Sequence, residues 1–279
     1  MKKPPGSKTK AAVWVVENSL VRSRHDQLAV EEPLEIRLVS PQQTVAVTMR
    51  TPGADFDLTA GFLYSEGVVR DRKDIYRMSY CNAPNVDDEG RYNIVNVALK
   101  EGLQPNLQPL ERHFFTTSAC GVCGKTSIEA LQIRGCSAVP TGMEVEAEVI
   151  YSLPERLRSA QGIFAATGGL HAAGLFDAQG QLLRLREDVG RHNALDKLVG
   201  SALLADELPF DRHIVMVSGR SSFEILQKCI TAQVAIVCAV SAPSSLAVAL
   251  AKEFNITLVG FLRGQRFNVY SGFERIRTD

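Results

Sequence analysis

The clearest pattern of apolar and polar positions lies in the last quarter of the chain. Apolar runs over residues 214–217, 234–240 and 257–262 predict three buried strands. The stretches between them, 221–233 and 244–254, have the spacing of amphipathic helices, and a capping box at residues 221–224 opens the first. This strand-helix-strand-helix-strand order predicts a largely parallel sheet with right-handed crossovers.

The first hundred or so residues show a different pattern. Alternating residues 34–40 and 44–50 flank a short polar turn and predict a hairpin, and residues 55–64 have helical spacing. Residues 75–81 and 92–99 are strand-like. Further along, the pattern predicts a hairpin from 170–176 and 181–185 and a helix beginning near Arg191. The fold class is therefore α+β or α/β, with a small N-terminal α+β unit before an α/β domain.

The pattern divides the chain into four parts. We expect a disordered tail over residues 1–22 and an N-terminal α+β domain over residues 23–117. A loop with a short helix follows over residues 118–135, and an α/β domain that binds a ligand covers residues 136–279.

In a parallel sheet, ligands bind beyond the carboxyl ends of the strands. Three loops rich in serine, glycine and arginine follow the three predicted strands, at residues 218–220, 241–244 and 263–266. Glycine permits close backbone approach, and arginine offers two parallel donors to phosphate oxygens. The three loops together favour a phosphate-bearing ligand; each loop alone would be ordinary turn chemistry.

Charge and length narrow the classes of function. The chain has 279 residues, with 31 basic and 31 acidic side chains. A formal charge of zero argues against bulk binding of nucleic acid or a membrane surface. The apolar run over residues 11–16 is too short for a signal-peptide core, and no stretch is long enough to span a membrane. We expect a cytoplasmic protein, whose thiols stay reduced.

One close cysteine pair stands out, Cys120 and Cys123, flanked by glycines and followed by Lys125. Residues 126–133 predict a short helix, whose N-terminus would favour a thiolate over a thiol. A thiolate attacks sulfur, binds metal or forms covalent intermediates. The other four cysteines lie in or beside apolar segments and are expected to be small buried hydrophobes: Cys81, Cys136, Cys229 and Cys238.

Three kinds of chemistry suit the pair. A zinc site needs four ligands and the pair supplies two, and no His-x-Glu motif of a zinc deaminase precedes it. A phosphate loop would match residues 119–126 only loosely, with Ala119 where the first glycine belongs. A persulfide or disulfide relay needs an accessible cysteine of low pKa on a mobile loop, which the flanking glycines provide. We expect no bound metal.

Two central motifs, residues 162–171 and 187–197, concentrate polar chemistry. The second packs acid, base, imidazole and amide into eleven residues. His192 lies beside Asp188 and Arg191 in the sequence. It has either a functional role, as a proton shuttle or a ligand contact, or a purely structural one. For His171, a structural role within the sheet is the prediction.

Several segments together resemble the FdhD family of formate dehydrogenase accessory sulfurtransferases. They are residues 61–67, 120–124, 167–173, 187–197, 218–220, 258–266 and 268–270. The resemblance runs from about residue 29 to residue 271, and the N-terminal tail has no part in it.

The resemblance implies a cytoplasmic homodimer whose C-terminal domain is a cytidine-deaminase-like α/β/α sandwich without the zinc machinery. A cysteine desulfurase would load a persulfide on Cys120, with Cys123 assisting. The sulfur would pass to the molybdenum or tungsten bis(guanine dinucleotide) cofactor of formate dehydrogenase.

By the same resemblance, the stretch Phe261, Leu262, Arg263, Gly264, Gln265 and Arg266 binds that cofactor. The strand-end and central motifs add Ser218, Gly219, Arg220, Arg191 and His192 to the predicted cofactor contacts. A chaperone that binds and delivers the cofactor without sulfur chemistry is the alternative, and differs only at the cysteines.

Overall fold

A computed structural model describes residues 5–83, 86, 90–107, 131 and 135–278. Within them, two sheets and their helices form two adjoining hydrophobic cores.

The chain begins with a long hairpin made of β1 (Lys8–Glu17) and β2 (Leu20–Ala29). The prediction of a disordered tail over residues 1–22 is therefore wrong for this stretch. Asn18 and Ser19 both have positive φ, 49° and 65°, as the two central residues of a type I′ turn require. Among the described strands, β1 and β2 pair only with each other, and their apolar residues are largely exposed, Trp14 to 75% and Leu20 to 75%.

The N-terminal α+β unit follows the predicted order. A four-stranded sheet has the order β4-β3-β6-β5, with β3 and β6 parallel and the outer pairs antiparallel. Its strands are β3 (Glu32–Leu38), β4 (Gln43–Arg50), β5 (Ile75–Tyr80) and β6 (Ile94–Leu99). Helix α1 (Asp55–Ser65) contributes Leu58 and Leu63 to the core beneath this sheet. The predicted hairpin, helix and two strands are confirmed.

The C-terminal part is built on a six-stranded sheet of order β13-β12-β11-β10-β8-β9. Strands β10, β11 and β12 are parallel, as predicted, and antiparallel strands extend the sheet on both sides. The strands are β8 (His171–Phe176), β9 (Leu182–Asp188), β10 (Ile214–Val217), β11 (Ile236–Ala239), β12 (Thr257–Arg263) and β13 (Arg266–Ser271). A short parallel pair joins β7 (Val145–Glu146) to β14 (Ile276–Arg277).

Within the described ranges, five helices accompany this sheet and complete three layers, which confirms the predicted fold class. They are α2 (Ala147–Ala160), α3 (Gly162–Thr167), α4 (Arg191–Leu204), α5 (Phe223–Thr231) and α6 (Ser245–Glu253). Helix α2 packs on one face, and α4, α5 and α6 pack side by side on the other. None of the helices in the described part of the chain is both long and apolar enough to span a bilayer.

Helix α4 also binds the two cores together, because α1 packs along its outer side. The helices touch at Gly61 and Gly200, where a β-carbon on either residue would overlap the backbone of the other helix. Leu203, near the end of α4, is buried in the N-terminal core. The start of α4 is therefore supported by both the N-terminal and the C-terminal unit.

The predicted capping box at residues 221–224 is wrong. Ser222 is the N-cap of α5 but makes no side-chain cap hydrogen bond, and the Ser221 hydroxyl is buried without a partner among the described residues. Glu224 turns instead toward α4 and pairs with His192. The ion pair with His192 takes the place of the bond to the helix start that a capping box requires.

Candidate functional site

The carboxyl ends of β10, β11 and β12 form one edge of the sheet, and the loops that follow them are bonded to one another. Ser221 forms a bridge with Pro243, and the amide of Ser244 donates to the carbonyl of Ser221 at 3.0 Å. The amide of Phe261 donates to the carbonyl of Ser241 at 3.2 Å. The predicted convergence of the three loops is therefore confirmed, although what they bind stays a prediction.

The loop between β12 and β13 forms the wall of a cleft of about 310 Å³, lined by Phe261, Arg263, Arg266 and Asn268. We call it the arginine cleft. Arg263 and Arg266 are paired directly across the hairpin and are both exposed. Like charges opposite each other destabilise a hairpin, and an anion lying between them would relieve that repulsion.

The pairing of β12 with β13 shifts register between Gly260 and Arg263, which interrupts the regular alternation of side chains along β12. Phe261 has φ of 52°, a conformation that is strained for an aromatic residue, and the residue is 42% exposed. Leu262 points the other way and is fully buried in the core. The structure therefore does not bring Leu262 to the cleft as a ligand contact, whereas Phe261 lines it.

The remaining predicted contacts lie elsewhere on the same edge. Gly264 makes the tight turn with φ of 53°, next to Gln265. Arg220 is exposed and lines neither of the two clefts. Gly219 lies beside α4: the position of a β-carbon on it would be 3.6 Å from both Arg191 Cδ and His171 Nδ1. Ser218, Gly219 and Arg191 thus belong to a second part of the edge.

That part contains an open cleft of about 360 Å³, which we call the histidine cleft. It lies between α2, α3 and the start of β8, and its lining residues are Arg158, Gln161, Phe164, Gly168, Gly169, Leu170, His171, Val189 and Ser218. The amide of Ala172 donates to Ser218 Oγ at 2.9 Å. Burial lowers the pKa of His171, as do the neighbouring Arg191 and His192, whereas Asp188 acts in the opposite direction. His171 is therefore neutral at pH 7.

The acidic residues of the 187–197 motif have structural roles. Asp188 is fully buried and pairs with Lys197 Nζ at 2.6 Å, and Lys197 also donates to the carbonyl of Thr51 at 2.7 Å. Glu187 accepts the amides of Ile163 and Phe164, which cap the start of α3. These contacts fix the two walls of the histidine cleft.

His192 has a different kind of contact. Its Nε2 lies 2.8 Å from Glu224 and 3.4 Å from the hydroxyl of Ser222. The hydrogen bond to His192 lowers the pKa of Glu224, against the opposing effect of burial. His192 is therefore bonded to α5, and its partner, the carboxylate of Glu224, is exposed to solvent.

Cys120 and Cys123 lie outside the described residues, as does the predicted helix over residues 126–133 apart from Leu131. Cys81, Cys229 and Cys238 are buried, as predicted, and Cys136 is half-buried. Burial raises the pKa of Cys229 to about 12 and that of Cys238 further still. No cluster of metal-binding side chains occurs within the part of the chain that the structure describes.

Sequence reasoning missed Arg158 and Gln161 as cleft residues, and it assigned no role to Phe164, which lies within the 162–171 motif. Arg158 lies on α2, with its guanidinium 3.8 Å from the centre of the Phe164 ring. For Arg158 and Gln161 the available signal was their proximity to that motif. Glu224 was noticed, but for a capping role rather than as the partner of His192.

The chain is similar to known proteins over nearly its whole length. A protein of Streptomyces coelicolor is 49% identical over 263 residues, covering 94% of this chain and 93% of that protein. One from Mycobacterium tuberculosis is 48% identical (92% and 94% covered), and one from Sulfurisphaera tokodaii 43% (95% and 97%). All three are called sulfur carrier protein FdhD.

A crystal structure from Desulfotalea psychrophila, described as a formate dehydrogenase accessory protein, has the same fold. It superposes with a TM-score of 0.74 at 24% identity, covering 97% of this chain and 99% of that one. The profile of the FdhD/NarQ family matches residues 29–277. This chain belongs to the FdhD/NarQ family.

Proposed function

We propose that this protein is a sulfurtransferase that carries a persulfide from a cysteine desulfurase to the guanine dinucleotide form of the molybdenum or tungsten cofactor, for use by formate dehydrogenase. The main support is its 49% identity, over 94% of the chain, to a sulfur carrier protein. The Cys120–Cys123 pair supplies thiols suited to that role.

The other cysteines support this assignment by exclusion. Persulfide transfer needs a thiolate that can meet a second protein. Cys81, Cys229 and Cys238 are buried, and burial holds the thiols of Cys229 and Cys238 in the protonated form. Cys136 is half-buried. The glycine-flanked pair is the better candidate for the acceptor.

In the loading step, the Cys120 thiolate attacks the outer sulfur of the desulfurase persulfide. A new sulfur–sulfur bond forms on Cys120, the donor's bond breaks, and the desulfurase cysteine leaves as a thiolate. The exchange is redox-neutral, so it needs no oxidant or reductant.

In the release step, the Cys123 thiolate attacks Sγ of Cys120. The outer sulfur leaves as hydrosulfide and becomes available to the metal of the cofactor substrate, while Cys120 and Cys123 form a disulfide. The two electrons come from the thiolate pair, and a cellular dithiol then reduces the disulfide. This step gives the second cysteine a definite role.

The cofactor would bind at the strand-end loops. A guanine dinucleotide carries a pyrophosphate, and the facing side chains of Arg263 and Arg266 suit its oxygens. The exposed ring of Phe261 offers a flat apolar surface to the guanine base. Arg191 and His192 would contact the cofactor further along the same edge.

We further propose a cytoplasmic homodimer that acts with a cysteine desulfurase and formate dehydrogenase as partners, and without nucleic acid, membrane or a permanently bound metal. Light scattering on the purified protein should give twice the mass of one chain. Elemental analysis should find no stoichiometric zinc.

Mass spectrometry tests the sulfur chemistry. After incubation with a desulfurase and cysteine, the chain should gain one sulfur atom on Cys120, and Cys120→Ala should gain none. The Cys123→Ala variant should load sulfur but fail to release it as hydrosulfide. Cys136→Ala is the matched control and should load normally. If Cys120→Ala still supports maturation of an active dehydrogenase, the relay is wrong and the cofactor chaperone replaces it.

A further inference from the structure

The histidine cleft has an unusual electrostatic composition. Two arginines lie at it, Arg158 in its lining and Arg191 beside it, and neither guanidinium has a carboxylate partner among the described residues. Nε of Arg191 is buried and has no hydrogen-bond partner within the described chain. None of the described residues that line the cleft is an aspartate or a glutamate. The cleft therefore carries positive charge that the described protein does not neutralise.

The nearest acids are occupied elsewhere. Asp188 is bonded to Lys197, to the amide of Gly190 and to Asn193. Glu224 is close enough to Arg191 for that charge to lower its pKa, but its ion pair is with His192. Each carboxylate thus already has a cationic or hydrogen-bonded partner other than the two arginines.

Uncommitted hydrogen-bond donors point the same way. Ser218 Oγ accepts the amide of Ala172, and its own hydrogen has no acceptor among the described residues. The ring of His171 likewise makes no hydrogen bond to the described residues, although it lies against Gly219 and the side chain of Arg191. The guanidinium of Arg158 stacks on Phe164, and its N–H groups make no hydrogen bond to the described residues.

The cleft also contains space that packing does not explain. A β-carbon on Gly169 would meet nothing closer than the carbonyl of Thr167 at 3.9 Å, and its φ lies outside the left-handed region. An alanine would fit this backbone, so the local conformation does not require glycine. The missing side chain widens the cleft beyond what the described residues fill.

We propose that the histidine cleft binds an oxyanion of the phosphate class, held by Arg191 and Arg158, with Ser218 and His171 as further donors. The oxyanion is either a free ion or a phosphate group of a larger molecule, for which about 360 Å³ leaves room. This site is separate from the arginine cleft: strands β10 and β12 are two positions apart in the sheet, roughly 10 Å. It extends the proposed cofactor site without depending on the sulfur chemistry.

Binding of the anion has a consequence for protonation. The groups that face His171 are Arg191 and His192 from α4, Asp188 from β9 and Arg158 from α2, with Glu224 of α5 behind His192. An anion would offset the cations and favour the imidazolium, so it should raise the pKa of His171. By linkage, the anion should bind more tightly as the pH falls through that pKa.

Nitrogen NMR of the imidazole rings in the full chain measures this directly. Inorganic phosphate, pyrophosphate and GDP are titrated separately, with the His171 signals assigned by loss in His171→Gln. We expect at least one probe to shift the His171 resonances and raise its pKa. His213 is the internal control, since it lies before β10 at the opposite edge of the sheet and should not respond. A response to GDP alone would mean that the phosphate arrives on a nucleotide; a response to the inorganic ions would mean that a free anion suffices.

Variants test which side chains hold the anion. Arg191→Gln should weaken binding measured at His171 by roughly ten- to a hundredfold, as expected for a lost charge-assisted hydrogen bond. Arg277→Gln, which removes an exposed arginine on β14, is the control and should leave it unchanged. Gly169→Ala should fold normally and bind more weakly, which guards against a folding defect in the arginine variant. The proposal is overturned if no probe shifts His171, or if Arg191→Gln and Gly169→Ala both bind as the parent chain does.

The two proposals fail separately. A chain that accepts sulfur on Cys120 but shows no anion response at His171 would overturn only the anion site. A chain that binds the anion but never accepts sulfur would overturn only the sulfurtransferase.

Discussion

Gly61 of α1 and Gly200 of α4 face each other where the two helices cross. A β-carbon on Gly200 would overlap the carbonyl of Asp57, and one on Gly61 would overlap the carbonyl of Asp196. The contact lets the backbones of two helices from different cores touch directly. It is one reason why the start of α4, with Arg191 and His192, is held in a fixed place.

We expect Gly200→Ala to lower the free energy of unfolding by at least about 2 kcal/mol, because the methyl group would force the helices apart. Helix propensity alone would favour alanine by about 1 kcal/mol, so a net loss would show that the steric conflict dominates. Urea unfolding followed by circular dichroism measures the change. Gly162→Ala is the control, since a β-carbon there meets no atom within 4 Å. Equal stability of the two variants would contradict the crossing geometry.

The buried pair of Asp188 and Lys197 makes a second prediction. Lys197→Met would leave the Asp188 carboxylate, which is fully buried, without its cation. The expected cost is about 3–5 kcal/mol, measured by urea unfolding. Adding Asp188→Leu to this variant should recover part of the loss, because the unpaired charge is then gone. No recovery in the double variant would mean that hydrogen bonds to Asp188, rather than its charge, carry the stability.

The thiols should differ sharply in reactivity. In the folded chain, iodoacetamide should modify Cys120 and Cys123 and leave Cys229 and Cys238 untouched, because burial blocks access and raises the pKa of both buried thiols. Peptide mass mapping before and after unfolding in urea gives the comparison, and the unfolded chain should react at all four. Modification of Cys229 in the folded chain would contradict its burial.

The arginine cleft predicts nucleotide binding. Calorimetric titration with GDP should show that Arg263→Ala and Arg266→Ala each weaken binding by roughly ten- to a hundredfold. Arg277→Ala, which removes an exposed arginine on β14, is the control. If all three variants bind GDP as the parent does, the nucleotide site lies elsewhere, with Arg191 and His192 the next candidates.

Stability should fall as the pH drops below neutral. Burial is the main reason why the folded-state pKa values of His171 and His213 lie below the ordinary value. An unfolded histidine binds its proton near pH 6.5, so between that pH and the folded-state pKa the unfolded chain holds more protons and is favoured. Urea unfolding at about pH 7.5 and about pH 5.5, in phosphate-free buffer, should show the loss.

The His213→Gln variant should lose less stability than the parent chain over the same pH interval. The pKa of Glu224 is lowered by its bond to His192, so its stabilising effect is lost only below its ordinary value and does not confuse the test. Equal pH dependence in the parent and the variant would exclude His213 as a cause.

Local patterns predicted much of the fold. The continuous apolar run at Ile214–Val217 identified a strand buried on both faces, and the serine and glycine residues after it marked where the strand ends. The hairpin of β1 and β2 was missed because a basic, proline-containing start suggested disorder. Its alternating Trp14 and Val16 and the Asn18–Ser19 turn were the overlooked signals.

The candidate site was harder to predict, because its contacts join distant parts of the chain. Glu224 and His192 are 32 positions apart, yet their pairing overrode the local capping pattern. Helix α2 contains Pro154, which weakens a helical prediction, so Arg158 had no assigned place beside His171. The sequence did locate the 263–266 turn, but not that its two arginines face each other.

The bridge from Thr51 to Asp188 and Lys197 limits which chimeras of this family can work. The amide of Thr51 donates to Asp188, 137 positions along the chain, and its carbonyl accepts from Lys197, 146 positions along. A hybrid that joins the first half of one relative to the second half of another inherits the two sides of this bridge from different parents. Such a hybrid should retain a working ligand edge only if the backbone of its first half places residue 51 where the second half needs it.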